Sequence, residues 1–188
     1  MHFWFPTTPV VLALVATVVV IDLSVSEESW DNEWDGELNF ECPRGQVLSS
    51  VYSVHDDSKE DRRWRLECAA APSGANPRRC RWTSDYVNTW EEPISYMPRR
   101  NWILAGVFSK HNNDHEDRIM KFRYCTDNSF VTISCGLTEY LNDFDAPLNY
   151  TVPEGKVLAG WVSMYDGSTR DRRHKMIECS YGRIAPPP

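Results

Sequence analysis

The feature that most constrains this chain is a stretch written three times. Residues 48–68 read LSSVYSVHDDSKEDRRWRLEC, residues 104–125 read LAGVFSKHNNDHEDRIMKFRYC, and residues 158–179 read LAGWVSMYDGSTRDRRHKMIEC. Laid over one another, Leu48, Leu104 and Leu158 coincide, as do Ser53, Ser109 and Ser163. Asp61, Asp117 and Asp171 coincide too, each followed by an arginine: Arg62, Arg118 and Arg172. The copies start 56 and then 54 residues apart, the length of one small supersecondary unit.

Each copy has the pattern of a hairpin. The first limbs (residues 47–54, 103–110 and 157–164) are β-branched, aromatic and small without a helical period, which predicts strands. The polar stretches HDDSKE, HNNDHE and YDGSTR follow, and their Asn, Asp, Gly and Ser residues favour a loop closed by local side-chain bonds. The second limbs alternate: Trp64 and Leu66 oppose Arg63 and Arg65, and Met120, Phe122 and Tyr124 oppose Lys121 and Arg123, as in half-buried strands with a basic outer face. A further strand precedes each hairpin, in Trp34-x3-Leu38-x-Phe40, Trp90-x3-Ile94-x-Tyr96 and Phe144-x3-Leu148-x-Tyr150. The expected fold is all-β: a single domain of three repeated β-units around a pseudo-threefold axis, closed in the manner of a β-trefoil or a β-prism and stapled by disulfides.

Residues 1–26 stand apart from the repeats. Val10–Ile21 is apolar or small except for Thr17, short for a membrane span, and Ser24-Val25-Ser26 resembles a signal-peptidase site. We therefore expect a signal peptide over 1–26, a soluble extracellular product, a β domain over 27–182 and a Pro-rich tail over 183–188. The acidic stretch at residues 27–37, EESWDNEWDGE, reads as a solvated arm, with a docking tail for a basic partner as the sharper alternative.

The six cysteines suit a secreted chain with three disulfides. Cys68 lies seven residues after its repeat aspartate, whereas Cys125 and Cys179 lie eight after theirs. A one-residue shift turns a strand side chain to the other face, so Cys68 is expected to have a different kind of partner. The economical solution is Cys42–Cys68 within the first unit, then Cys80–Cys125 and Cys135–Cys179.

Several residues are candidates for chemistry. Asp61, Asp117 and Asp171, with the repeat-motif Trp64, read as structural: Asp closes the hairpin onto backbone N–H groups while the following Arg ties neighbouring units. The basic second limbs offer a second possibility. Arg62, Arg63, Arg65, Arg118, Lys121, Arg123, Arg172, Arg173 and Lys175 collect on equivalent strands of a chain with formal charge −7. Segregated charge creates a local field that net charge conceals, and arginine forks match sulfate as they match phosphate. These residues are therefore candidates for binding sulfated glycans, set against a plain solvated face. Asn149-Tyr150-Thr151 is an N-glycosylation sequon.

No metal or cofactor is expected. There is no CxxC pair or Cys/His spacing of the zinc type, and the oxygen- and nitrogen-rich run His111–Asp117 is not preserved in the other two loops. Nor is an enzyme: the serines repeat threefold instead of forming one centre, and His55 and His111 lie in loops without an evident partner.

Three further motifs carry a family resemblance. Asp61–Cys68, Asp117–Cys125 and Asp171–Cys179 resemble the repeated D-R-[EQ]-W-x-F/Y-x-C motifs of the dermatopontin family, with Met120 and His174 where Trp64 holds the motif tryptophan. Cys42–Val47 is similar to its C-P-x-G-Q-V segment, and Cys135–Tyr140 to its C-x-L-T-x-Y segment. The resemblance spans about residues 30–182. It implies a small secreted matrix protein without a catalytic site, and the family's cysteine pairing agrees with the three bridges above. The partners it implies are proteoglycans or sulfated glycosaminoglycans, with collagen and cell-surface receptors beside them. The leading expectation is an extracellular-matrix adhesion protein. The alternatives are a soluble haemagglutinin- or toxin-like lectin acting in defence, and a component of a mineral or cuticle matrix.

Overall fold

The computed structural model describes Met1 and residues 29–184; the expected signal peptide and the last residues of the tail lie outside them. Among the described residues eleven strands form in order: β1 (Leu38–Glu41), β2 (Gln46–Asp56), β3 (Asp61–Ala70), β4 (Arg79–Trp82), β5 (Ile94–Tyr96), β6 (Ile103–Asn112), β7 (Asp117–Thr126), β8 (Phe130–Leu137), β9 (Leu148–Thr151), β10 (Lys156–Asp166) and β11 (Asp171–Arg183). The three hairpins are β2–β3, β6–β7 and β10–β11, with Ser53, Ser109 and Ser163 opposite Trp64, Met120 and His174. The strands take up part of each polar stretch, leaving turns at 57–60, 113–116 and 167–170. Asp56, Asn112 and Asp166 accept the backbone N–H two residues on, each at 2.8 Å, which explains why this position is Asp or Asn.

The strand before each hairpin does not join its own unit. β1 pairs antiparallel with β6, β5 with β10, and β9 with β2, so each unit lends one strand to a neighbour and the exchange closes in a cycle. Three sheets result, ordered β1-β6-β7-β4, β5-β10-β11-β8 and β3-β2-β9. This is the all-β, three-unit arrangement expected from the repeat. All three first limbs carry a bulge at the same place: between Leu48 and Ser50, Leu104 and Gly106, and Leu158 and Gly160. A bulge strengthens local twist and bends the strand. At Gly160 the lent strand comes so near that a Cβ would lie 2.5 Å from the Tyr96 carbonyl oxygen.

One core fills the centre. The lent strands supply Leu38, Ile94 and Leu148, the first limbs Val51, Val107 and Trp161, and the second limbs Trp64, Leu66, Met120, Phe122 and Met176. The disulfides are Cys42–Cys68, Cys80–Cys125 and Cys135–Cys179, as the offset at Cys68 suggested. Cys80 and Cys125 are directly paired residues of β4 and β7. Cys68 lies opposite Leu48, one register position away from Cys125 and Cys179, and bonds instead to the segment after β1.

The acidic stretch before β1 is not the solvated arm expected. From Trp30 onward it runs along the outer edge of β3. Asp31 N–H donates to Trp64 O at 2.8 Å, Leu66 N–H donates to the Asp31 carboxylate at 2.6 Å, and Asn32 is buried. Equivalent segments cover β7 and β11 through Val87 and Leu141, so the strand edges are sealed by backbone hydrogen bonds.

Candidate functional site

Residues two apart in a strand share a face, so Arg62, Arg118 and Arg172 lie on the inner face with Trp64, Met120 and His174. Each of the three arginines is 4% exposed and reaches the repeat aspartate of the preceding unit. Nε and Nη2 of Arg62 donate to Asp171 at 2.5 and 2.6 Å; those of Arg118 donate to Asp61 at 2.6 and 2.7 Å. Arg172 donates to Asp117 at the same 2.6 and 2.7 Å. The three bidentate pairs form a closed ring.

Most of the ring's remaining groups are also engaged; Arg118 Nη1 and Ser109 Oγ are buried without a hydrogen-bond partner. Each aspartate accepts a backbone N–H at 2.7 to 2.8 Å, from Asp35, Glu91 or Asp145. Each arginine donates to a carbonyl in the same segments: Gly36, Glu92 or Ala146. Ser53 and Ser163 accept from Arg62 and Arg172 at 3.0 and 3.1 Å. The arginines thus tie neighbouring units as expected. The aspartates bind the turn before β1, β5 or β9, and not their own hairpin loop.

Burial removes Arg62, Arg118 and Arg172 from the basic outer face to which the sequence reading assigned them. Their forks are filled by aspartates, and a glycan outside cannot reach them. Arg123 also has a fixed partner on its side: it meets Glu41 at 2.9 Å and donates to the Cys42 carbonyl at 3.1 Å.

A narrow cavity runs along the axis. Glu60, Glu116 and Arg170 stand at its mouth, the Asp–Arg ring forms its wall, and Trp64, Met120 and His174 lie deepest. Arg170 pairs with Glu60, and the Glu116 carboxyl is pushed up first by burial and then by the nearby Glu60 charge. The free interior is about 20 Å³, room for one water and far too small for a sugar. His174 is 0% exposed. Its Nδ1 accepts the Trp161 Nε1–H at 3.0 Å, which leaves the proton on Nε2. Burial first, then the charges of Arg62 and Arg172, hold its pKa well below the ordinary value.

The outer face is built differently. The Arg63 guanidinium lies between Trp30 and Trp34, 4.7 and 4.6 Å from their ring centres. Arg173 lies between Tyr140 and Phe144 at 4.2 and 4.6 Å. Arg65 sits over Tyr52 at 4.7 Å, Lys121 over Tyr86 at 4.9 Å and Lys175 over Tyr140 at 4.4 Å. Of the nine basic candidates, these five lie half-buried on the outer face, held on aromatic rings, with Lys121 also donating to the Ser84 carbonyl and Lys175 3.9 Å from Glu139. The rings come largely from the segments that cover the strand edges. Those segments are anchored by Asn32, Asn88 and Asn142, whose side-chain carbonyls accept the N–H of Trp64, Met120 and His174 at 2.8, 2.9 and 3.0 Å. The asparagine triplet recurs in the sequence at the same 56 and 54 spacing, the one signal there that points to these anchors. Asn149 is exposed on β9, opposite Tyr52.

The chain is similar to proteins of a known family. A family model described as Dermatopontin matches residues 32–183. The hemagglutinin/amebocyte aggregation factor of Limulus polyphemus is 34% identical over 164 residues, covering 86% of this chain and 93% of the relative. Dermatopontin of Biomphalaria glabrata is 36% identical over 142 residues, 76% of this chain and 93% of the relative. Millepora cytotoxin-1 of Millepora dichotoma is 31% identical over 148 residues, 79% of this chain and 65% of the relative. No solved structure matches.

The buried imidazole has a consequence for stability. Unfolded, His174 takes up a proton as pH falls through about 6.5; folded, it stays neutral until a much lower pH. The unfolded state then binds more protons, so its contribution to stability is present above that pH and is lost as pH drops. Urea unfolding of the wild type between pH 7.5 and 5 should therefore show a decline that is shallower in His174→Met. Identical slopes would mean that His174 binds its proton alike in the folded and unfolded states.

Proposed function

The chain belongs to the dermatopontin family, and on that premise we propose that it is a secreted adhesion protein that binds sulfated glycans or proteoglycans. The observation behind this reading is the set of five surface cations braced on aromatic rings: Arg63, Arg65, Lys121, Arg173 and Lys175. Bracing matters physically. Ordering a long cationic side chain on binding costs entropy, and a side chain already stacked on a ring has given up much of that freedom. Collagen and cell-surface receptors are the other partners that this proposal includes.

A soluble lectin is the second reading, favoured by the similarity to the Limulus hemagglutinin. The axial cavity is too small for either role, so both readings place recognition on the outer faces. Salt separates them: pairing of exposed charges with sulfate weakens as salt rises, whereas hydrogen bonding and stacking to neutral sugars do not.

Secretion supports a further proposal, that Asn149 carries an N-linked glycan. Peptide N-glycosidase should lower the mass of the secreted protein but not of Asn149→Gln; no mass change in the wild type would refute it.

The main test is elution from immobilised heparin. The mature protein should be retained beyond physiological salt, and a variant with Arg63, Arg65, Lys121, Arg173 and Lys175 changed to Ser should elute well below it. If both flow through while the wild type still agglutinates cells in a manner blocked by neutral sugars, the lectin reading replaces the sulfated-glycan one.

A further inference from the structure

We propose that the hairpin ends hold two divalent metal ions of the zinc class, each at a junction between units. The first site gathers Asp35, Asp61 and His111, the second His55, Asp57 and Asp145. In each, all donor atoms lie within 4.8 Å of one another.

Acidic clusters alone are common on protein surfaces. What distinguishes these is the histidine in each. The His111 side chain is 0% exposed and that of His55 is 1% exposed, yet neither ring nitrogen of either makes a hydrogen bond. Buried imidazole nitrogens without a partner are costly. The distances point to what would satisfy them. His111 Nδ1 lies 3.4 Å from Asp35 Oδ1 and 3.6 Å from Asp61 Oδ1. His55 Nδ1 lies 3.3 Å from Asp57 Oδ1 and 3.4 Å from Asp145 Oδ1. These separations are long for charge-assisted hydrogen bonds. They match the spacing of about 3.4 Å between two ligands placed tetrahedrally about 2.0 to 2.1 Å from one ion.

The donor set indicates the class of ion. One imidazole nitrogen with two carboxylate oxygens, completed by water as a fourth ligand, suits a borderline cation such as zinc better than a hard one such as calcium, which prefers six or more oxygens. The other His111 nitrogen, Nε2, faces Glu116 at 3.3 Å, the orientation in which a carboxylate steers a ligating histidine from behind. Asp61 also accepts Arg118 Nε at 2.6 Å through the same oxygen, which can accept a second partner through its other lone pair.

The repeat supplies an internal control. At the third junction the equivalent positions are Tyr165 and Glu91, and Tyr165 Oη donates to the His115 carbonyl at 3.1 Å. A phenol occupied in this way does not replace an imidazole, so the fold has three equivalent junctions and two sites. The ligands are hidden from a reading of single loops because Asp35 and Asp145 come from the unit before the histidine.

Isothermal titration of Zn²⁺ into the mature protein, after removal of metal with a chelator, tests this. The wild type should take up two equivalents. His111→Asn or Asp35→Asn should remove one, His55→Asn or Asp145→Asn the other, and the His55→Asn/His111→Asn variant should take up neither, while His115→Asn keeps both. Near-UV circular dichroism of the metal-free variants checks that they fold. If a histidine variant does not fold, the Asp35 and Asp145 variants, whose side chains lie nearer the surface, make the same comparison. No saturable uptake by the wild type, or uptake that survives loss of both histidines or of both surface aspartates, would overturn the proposal.

Discussion

Three arginines buried against three aspartates hold the centre of this protein together. Taking charges out of water costs several kcal/mol per ion, and their mutual attraction offsets this only where geometry and extra hydrogen bonds are good. Here both conditions are met. Every pair is bidentate, and every aspartate and arginine is also bound to backbone in the turn before a lent strand. Such a ring contributes less to raw stability than to uniqueness. A hydrophobic core tolerates sliding and repacking, whereas a buried ion pair set off by one residue leaves uncompensated charge, a loss of about 3 to 5 kcal/mol. The lent strands and the ring run in one cycle, so each unit is completed by its neighbours.

Much of this was legible in the sequence. The period, the hairpins and the serine, aspartate and arginine positions were read directly, and the offset at Cys68 separated its disulfide from the other two. A counterpart of β4 at the repeat spacing would fall before residue 29, outside the described residues. Cys68 bonds instead to Cys42, in the segment after β1.

What was not read depended on contacts between units. Arg62 was grouped with the outer basic residues because charge usually lies outside. Strand parity placed it on the face of Trp64 and Leu66, and the same count placed Arg118 with Met120 and Arg172 with His174. The parity was visible; the partner that makes an inward arginine tolerable, an aspartate about 55 to 110 residues away, was not. The acidic segment before β1 looked solvated for the same reason, since its hydrogen-bonding edge belongs to β3. The sequence therefore shows each unit well and the junctions poorly. The candidate sites lie at the junctions and on the aromatic edges that they create.

If the ring is the element on which the fold depends, opening it at one point should loosen all three units. Native-state hydrogen exchange on Arg118→Met measures this directly. The account requires protection to fall by a similar factor in β2–β3, β6–β7 and β10–β11, although the lost pair joins only the first two hairpins. Loss confined to those two, with β10–β11 as protected as in the wild type, would contradict it and make the three ion pairs independent local contacts.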